Sequence, residues 1–330
     1  DDALQYDPNT EHKILLGDLT KPGLIVLDLN ACADLNWEEL KDSDAVVWEW
    51  DPQTSKGCEL ANRIDGIADA KYRWSEYYKK YVVIALNSSG WVGIIDYETK
   101  DTLWETLAGS NPHSLELMPN GDLVVIGSGV GDINNGRVFY YPISANNGAT
   151  GHSSSLKLQS GHGISWDPEM EVLWALGYDG ISALTVRNYG TAEAELAVLS
   201  GMKYAFSGDK DGHDLTPVYG QPGKYWVTAE KYVWQFDANE ETLTKGFPNA
   251  SAISSAGVKG IAHFKDGTMV MTIAGTPAGK TTHSYSTRNL RIVTLQKTTG
   301  KVVSIRPKKS DVTFEDREFY KVHTFCADYQ

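Results

Sequence analysis

The sequence is poor in several features whose presence would have settled its class at once. It holds only three cysteines in 330 residues, Cys32, Cys58 and Cys326. No Cys-x-x-Cys pair or Cys/His finger spacing occurs among them, which excludes a thiolate zinc module and a dithiol redox motif. No run approaches the ~20 apolar residues that a helix needs to cross a bilayer, so the chain reads as soluble and not membrane-bound. Lys and Arg total 30 against 43 Asp and Glu, a formal net charge of −13. Without a basic patch wide enough to follow a phosphate backbone, nucleic acid is excluded as a partner. A Gly-x-Ser-x-Gly elbow, a P-loop and a dinucleotide fingerprint are also missing, which removes the common motif-bearing hydrolases, NTPases and dehydrogenases.

What is present is a repeat. The composition, 41% hydrophobic and 11% aromatic, is ample for a large core. Gly161-His162-Gly163-Ile164-Ser165-Trp166 is followed by a turn and a second apolar strand, Val172 to Leu176. The same plan recurs at Asn111-Pro112-His113-Ser114 and at Gly212-His213-Asp214-Leu215. Sliding the template places Lys259 and Lys71 at the same position, so Lys71, His113, His162, His213 and Lys259 stand at intervals of 42 to 51 residues. A period of this size with several short strands per unit is the signature of a β-propeller. The expectation is an all-β chain forming one domain over residues 1–330, with an N-terminal arm over 1–11. Six blades account for the strands; a seventh would have to hide in a long loop. The first repeat lacks an innermost strand, and a surplus strand over 316–326 fits that slot. Closing the ring in this way removes both exposed sheet edges.

The innermost strand of a propeller blade lines the central axis, so residues that open it converge at one mouth of the channel. Three neutral imidazoles meeting there, His113, His162 and His213, make a candidate site for a divalent metal or for acid–base chemistry. Lys71 and Lys259 beside them would hold an anion, and the closing strand would add one of Arg317, Tyr320 or Lys321. Loops between second and third strands open on the same face and carry Asn87, Asp132, Asn134, Tyr178, Asp179, Glu230 and Lys231. The long loop over 275–289 adds His283, Tyr285 and Arg288. A Gly-His pair also occurs structurally in WD-type propellers, but no Trp-Asp pair ends the third strands here. Asp167, Asp237 and Asp266 read as turn residues. Trp91 and Trp104 read first as core and second as sugar-stacking platforms.

The first residue is Asp1 and no signal-like segment precedes it, the pattern of a processed mature chain or a trimmed one. Asn87-Ser88-Ser89 and Asn249-Ala250-Ser251 are N-glycosylation sequons. With one disulfide expected to tie the first repeat to the last strand, and the pairing among the three cysteines open, the chain reads as a secreted monomeric glycoprotein.

The combination Pro112-His113-Ser114, Gly161-His162-Gly163 with Trp166-Asp167, Leu176-Gly177-Tyr178, Gly212-His213-Asp214-Leu215 with Pro217-Val218, and Trp234 to Asp237 resembles an uncharacterised family of secreted propellers. That domain of unknown function occurs in polysaccharide-degrading bacteria and in fungi. The resemblance spans residues 12–305. A looser, architectural likeness is to oligogalacturonate lyase, a propeller that holds a divalent metal with several His at one channel mouth. It implies a lyase that cleaves a uronate-bearing oligo- or polysaccharide by β-elimination. His113, His162 and His213 would be metal ligands or acid–base groups and Tyr178 an alternative base. Lys71, Lys259, Arg288 and Lys231 would bind substrate. The competing expectations are a non-catalytic glycan- or protein-binding propeller, and a metal-dependent hydrolase or lactonase.

Overall fold

A computed structural model of the chain describes residues 10–31, 45–298 and 304–329. It contains six four-stranded antiparallel sheets arranged as propeller blades. Blade 1 is made of β1 (Lys13–Asp18), β2 (Gly23–Asp28) and β3 (Val46–Trp50), with the last strand of the chain, β24 (Phe319–Thr324), on its inner side. Blade 2 is β4 (Asp69–Ser75), β5 (Lys80–Leu86), β6 (Trp91–Asp96) and β7 (Thr102–Leu107). Blade 3 is β8 (Pro112–Leu117), β9 (Leu123–Gly127), β10 (Arg137–Tyr141) and β11 (Ser154–Lys157). Blade 4 is β12 (Gly163–Asp167), β13 (Val172–Leu176), β14 (Gly180–Arg187) and β15 (Glu195–Ala205). Blade 5 is β16 (Asp214–Pro217), β17 (Lys224–Thr228), β18 (Val233–Asp237) and β19 (Thr242–Thr244). Blade 6 is β20 (Val258–His263), β21 (Met269–Ile273), β22 (Asn289–Thr298) and β23 (Ser304–Thr313).

The apolar strands read as unbroken runs because both faces of each sheet are covered. In β5, Val82, Ile84 and Leu86 pack with Leu115 and Val125 of blade 3, whereas Val83 and Ala85 pack with Leu15 and Val26 of blade 1. The same division repeats between every neighbouring pair of blades, so the core is a ring of inter-blade layers. Trp91 and Trp104 lie in these layers at 0% and 4% exposure, so neither offers a face to a sugar. The turn aspartates act as expected: Asp167 Oδ1 accepts from the Glu169 and Met170 amides. Its Oδ2 takes the Trp174 indole N–H and the Tyr225 hydroxyl, which ties blade 4 to blade 5.

Two outer strands are long: β15 spans Glu195–Ala205 and β23 spans Ser304–Thr313. The apolar pattern marks only where a strand touches the next blade. β22 pairs with β21 at 291–293 but with β23 along its whole length, so the ribbon continues beyond the packed layer.

Ring closure also departs from expectation in its chemistry. β24 pairs with β1, as foreseen, from Ile14↔Thr324 to Asp18↔Phe319. No disulfide reinforces it among the described residues. Cys58 and Cys326 are free thiols, the first beside Glu105 and the second beside Asp328; Cys32 lies outside the described residues, as does most of the arm expected over 1–11. The first sequon is unsuited to a glycan as well. Asn87 is 1% exposed and its amide nitrogen donates to Arg63 O and Asp65 Oδ1, leaving Asn249 as the half-buried alternative.

Below the mouth the channel is filled with charge. Lys71 Nζ donates to Glu116 Oε2 at 3.3 Å and, across the axis, to Ile164 O at 2.6 Å. Arg73 holds both oxygens of the same Glu116, at 2.9 and 3.2 Å. Lys321 of β24 donates to His162 O and lies 3.7 Å from Asp214, while His323 meets Asp69 at 2.6 Å. Burial opposes ionisation of Glu116 and Asp69, yet the facing cations hold both below the usual carboxylate range. These contacts join blades 1 to 5, so the ring is tied from inside by Coulomb attraction between buried groups.

Removing one partner of such a set leaves the others buried and uncompensated. Glu116→Gln, nearly isosteric, is therefore expected to destabilise the protein by about 3–5 kcal/mol. Urea unfolding should show this as a lower midpoint at an unchanged m-value.

Candidate functional site

The three histidines do converge. His113 and His162 have ring centroids 4.2 Å apart, and His162 and His213 5.2 Å apart. Together with Lys259 and Tyr320 they floor a cavity of about 450 Å³ at one mouth of the channel. His283 and Tyr285, stacked 4.9 Å apart in the long loop of blade 6, form one wall. Asp65, Ser88 and Ser89 lie on another side.

Each histidine arrives there through the same local device. Two residues before it stands a residue in the left-handed region: Asn111 (φ 51°), Ser160 (φ 48°) and Asp211 (φ 56°). Gly257 (φ 76°) occupies the corresponding place before Lys259. Asn and Asp tolerate this conformation better than most residues, and Gly adopts it freely. The turn directs the carbonyl of the first residue at the ring of the third. Asn111 O lies 2.7 Å from His113 Nδ1, and Ser160 O lies 2.9 Å from His162 Nδ1. A carbonyl can only accept, so Nδ1 carries the proton in both rings and the Nε2 lone pair is available for chemistry.

His213 is held differently. Its Nε2 lies 2.6 Å from Lys259 Nζ and 3.6 Å from Asp211 Oδ2, and its Nδ1 is buried without a partner. Ser160 Oγ donates to Asp211 Oδ1 at 3.3 Å, which links the approaches to His162 and His213.

Burial keeps these rings neutral. It lowers His113 to about 4; Lys321 and Lys259 add to the effect against the Asn111 carbonyl and Asp69. His213 falls to about 2 through burial and the Lys259 charge. His162 falls well below its ordinary value through burial and its two imidazole neighbours. Lys259 is lowered to about 8 by burial, offset in part by Asp211. Burial raises the Asp211 carboxyl and the Tyr320 phenol. The mouth thus carries three uncharged bases and one ammonium whose proton is loosely held.

Lys71 does not belong to this group. The amides of Ala68, His162 and His213 bond to the last carbonyl of the second strand of their own blades, which makes Ala68 the residue equivalent to the histidines. Lys71 lies three residues further along β4, within the buried ion-pair network. The expected position of Lys71 is three residues out of register, because blade 2 has a small apolar residue, Ala68, at the mouth. The remaining slot, in blade 1, is filled by Tyr320, while Arg317 pairs with Asp18 and Glu49 and Lys321 lies deeper. Tyr178, Lys231 and Arg288 do not line the cavity either. Tyr178 sits in the β13–β14 turn with its phenol toward Lys210, and the exposed Lys231 has its amide on Asp209. Arg288 is bound to Glu318 at 3.1 Å and to Glu315 O.

The atoms best placed for a divalent metal are those of His162, Asp211 and His213, whose ligand atoms all lie within 4.8 Å of one another. His113 stands against His162 outside this cluster. Two imidazoles and a carboxylate suit a borderline ion such as zinc. His213 Nε2 is already occupied by Lys259, so a metal there would have to displace that side chain. Asp211 is absent from the candidates the sequence offers. Its signal is the polar or glycine residue two places before each mouth residue.

Residues 39–275 match the model of the Family of unknown function (DUF6528), and the chain belongs to that family. No curated protein matches it. Among solved structures, a chain of a Nidogen/Laminin complex is similar at 10% identity and a TM-score of 0.54, over 96% of this chain and 98% of that one. A protein of unknown function from Bacteroides caccae matches at 10% identity and a TM-score of 0.45, over 96% and 99% of the two chains. The β-propeller domain of Myceliophteria thermophila Cps50 (Swd1) matches at 12% identity and a TM-score of 0.43, over 74% of each. At such identities the likeness concerns fold alone.

The lowered histidines have a consequence for stability. Below about pH 6.5 the unfolded chain takes up protons that the folded imidazoles refuse until about pH 4 in the case of His113. Stability is therefore expected to fall as pH drops through that window, by up to ~1.4 kcal/mol per pH unit for each such ring. His113→Gln should flatten the dependence between pH 6.5 and 4 relative to wild type, measured by urea unfolding across the range.

Proposed function

We propose that the histidine mouth is a catalytic pocket for a carboxylate-bearing glycan, and that it cleaves a uronate-containing oligo- or polysaccharide by β-elimination. One observation carries this reading: imidazoles held neutral, with their Nε2 lone pairs free, beside one partly buried ammonium in an otherwise acidic protein. The hydrogen next to a uronate carboxylate is only weakly acidic. Pairing that carboxylate with Lys259 would stabilise the enediolate formed as the hydrogen leaves, the type of electrostatic help that usually contributes most to catalysis.

His162 or His113 takes the proton through Nε2. The C–H electrons form the new double bond, the C–O bond breaks, and the leaving oxygen receives a proton from Tyr320 or Tyr285. These two phenols line the cavity, whereas Tyr178 does not. If a divalent ion is bound, His162, Asp211 and His213 would hold it, and it would supply Lewis-acid stabilisation of the same carboxylate. The half-buried sequon at Asn249 supports an extracellular setting. The competing reading, a non-catalytic glycan- or protein-binding propeller, uses the same cavity without needing free lone pairs.

The test is incubation with a panel of uronate-bearing glycans, following ultraviolet absorbance of the unsaturated product. Wild type should generate that absorbance, and His162→Ala should reduce the rate by about 10²–10⁴-fold with a melting temperature changed by only a few degrees. Saturable binding without product would favour the non-catalytic reading. Substrate affinity should weaken as pH rises through about 8, because Lys259 loses its charge there, and Lys259→Met should remove that limb.

A further inference from the structure

The face opposite the histidine mouth carries another cavity, of about 460 Å³, lined by residues of blade 2 beside its boundary with blade 1. Tyr72 and Trp74 alternate along β4, so they project from one face of the sheet, and Tyr81 of β5 lies directly opposite Trp74. With Tyr97 from the β6–β7 turn they make a continuous series of rings. Tyr72 and Tyr81 are stacked at 5.3 Å, Trp74 meets Tyr81 edge-on at 5.1 Å, and Tyr97 meets Tyr72 edge-on at 5.2 Å. The inner end is anchored in the inter-blade core by Phe325, stacked on Tyr72 at 4.1 Å. The outer end stands in solvent, with Trp74 42% and Tyr81 49% exposed. Large aromatic rings left in water at a cleft are anchors awaiting a ligand.

The polar groups specify which one. The phenols of Tyr72, Tyr81 and Tyr97 line the cavity, and burial raises those of Tyr72 and Tyr97 above their ordinary value, so both remain hydrogen-bond donors. Lys80, Asp96 and Glu98 edge the same cavity. Asp96 is engaged by Lys80 and by the amides of its own turn, so the cleft offers no uncommitted pair of carboxylates to a cation. A quaternary ammonium would also meet Lys79 and Lys80 at close range. A flat apolar ligand would leave three phenols and the charged rim without partners. A pyranose ring satisfies both sets of groups, with C–H faces for the rings and hydroxyls for the phenols.

We propose that this aromatic cleft is a binding site for a neutral saccharide, with Trp74 and Tyr81 as its stacking platform. The proposal stands independently of any chemistry at the histidine mouth. Its test is calorimetric titration of the full chain with hexasaccharides of glucose, xylose, mannose and galactose, alongside tetramethylammonium. At least one hexasaccharide should bind and quench tryptophan fluorescence. Trp74→Ala and Tyr81→Ala should each weaken it about tenfold or more, with melting temperatures near wild type because both side chains are exposed. His162→Ala should bind the sugar as wild type does. Absence of binding by the whole panel, binding insensitive to both aromatic substitutions, or binding of tetramethylammonium alone would overturn the proposal.

Discussion

Six sheets that meet around one axis must put something on that axis, and this protein puts opposite charges there. Glu116 draws in Lys71 and Arg73 from blade 2, and Lys321 on the closing strand reaches both Asp214 and the backbone of blade 4. Each pair spans two blades, so blades 1, 2, 3 and 5 cannot swing outward without separating ions in a medium that screens them poorly. A buried pair is a weak source of net stability compared with apolar packing. What it supplies here is register: the terminal strand has one position at which Lys321 and His323 both find their partners. The closure foreseen as a disulfide is achieved by these contacts, together with the ladder between β1 and β24.

The same plug determines what the histidine mouth can be. A channel filled below the rim becomes a closed-ended cup, and its floor is partly dehydrated. That dehydration, more than any single neighbour, keeps His113, His162 and His213 uncharged and loosens the proton on Lys259. The mouth and the plug are therefore one piece of architecture: in blades 3 and 5 the inner strand that begins with a histidine continues inward to an ion pair, and in blade 4 to carbonyls that accept from Lys71 and Lys321. In blade 5, His213 and Asp214 are consecutive and serve the two roles in turn. The left-handed residues ahead of His113 and His162 complete the arrangement by presenting a carbonyl to Nδ1 and leaving Nε2 to the cavity, whereas His213 is held through Nε2 by Lys259.

The aromatic cavity shows how the inter-blade core can itself become surface. Along the boundary between blades 1 and 2 the apolar layer passes from Ile67 and Val83 to Tyr72, Tyr97 and Phe325, and then emerges as Trp74 and Tyr81. Nothing in the residue pattern marks this transition. Trp91 and Trp104 look just as available on paper, and they are buried because Trp91 stacks on Trp50 of blade 1 and Trp104 packs against Tyr141 of blade 3.

The sequence by itself determined the repeat, the six blades, the borrowed strand and the convergence of three histidines. Those follow from local periodicity and from the geometry of a closed ring, which brings equivalent positions together however distant they are along the chain. It did not determine which cations stand at the rim. Lys71 and Lys259 look alike as residues, and a three-residue offset along β4 separates a buried ion pair from a position facing the cavity. Nor could it identify Asp211 or the Trp74–Tyr81 platform, or choose Tyr320 over Arg317 and Lys321. Their roles depend on side-chain direction and depth, and those are set only when neighbouring blades pack and decide which faces water still reaches.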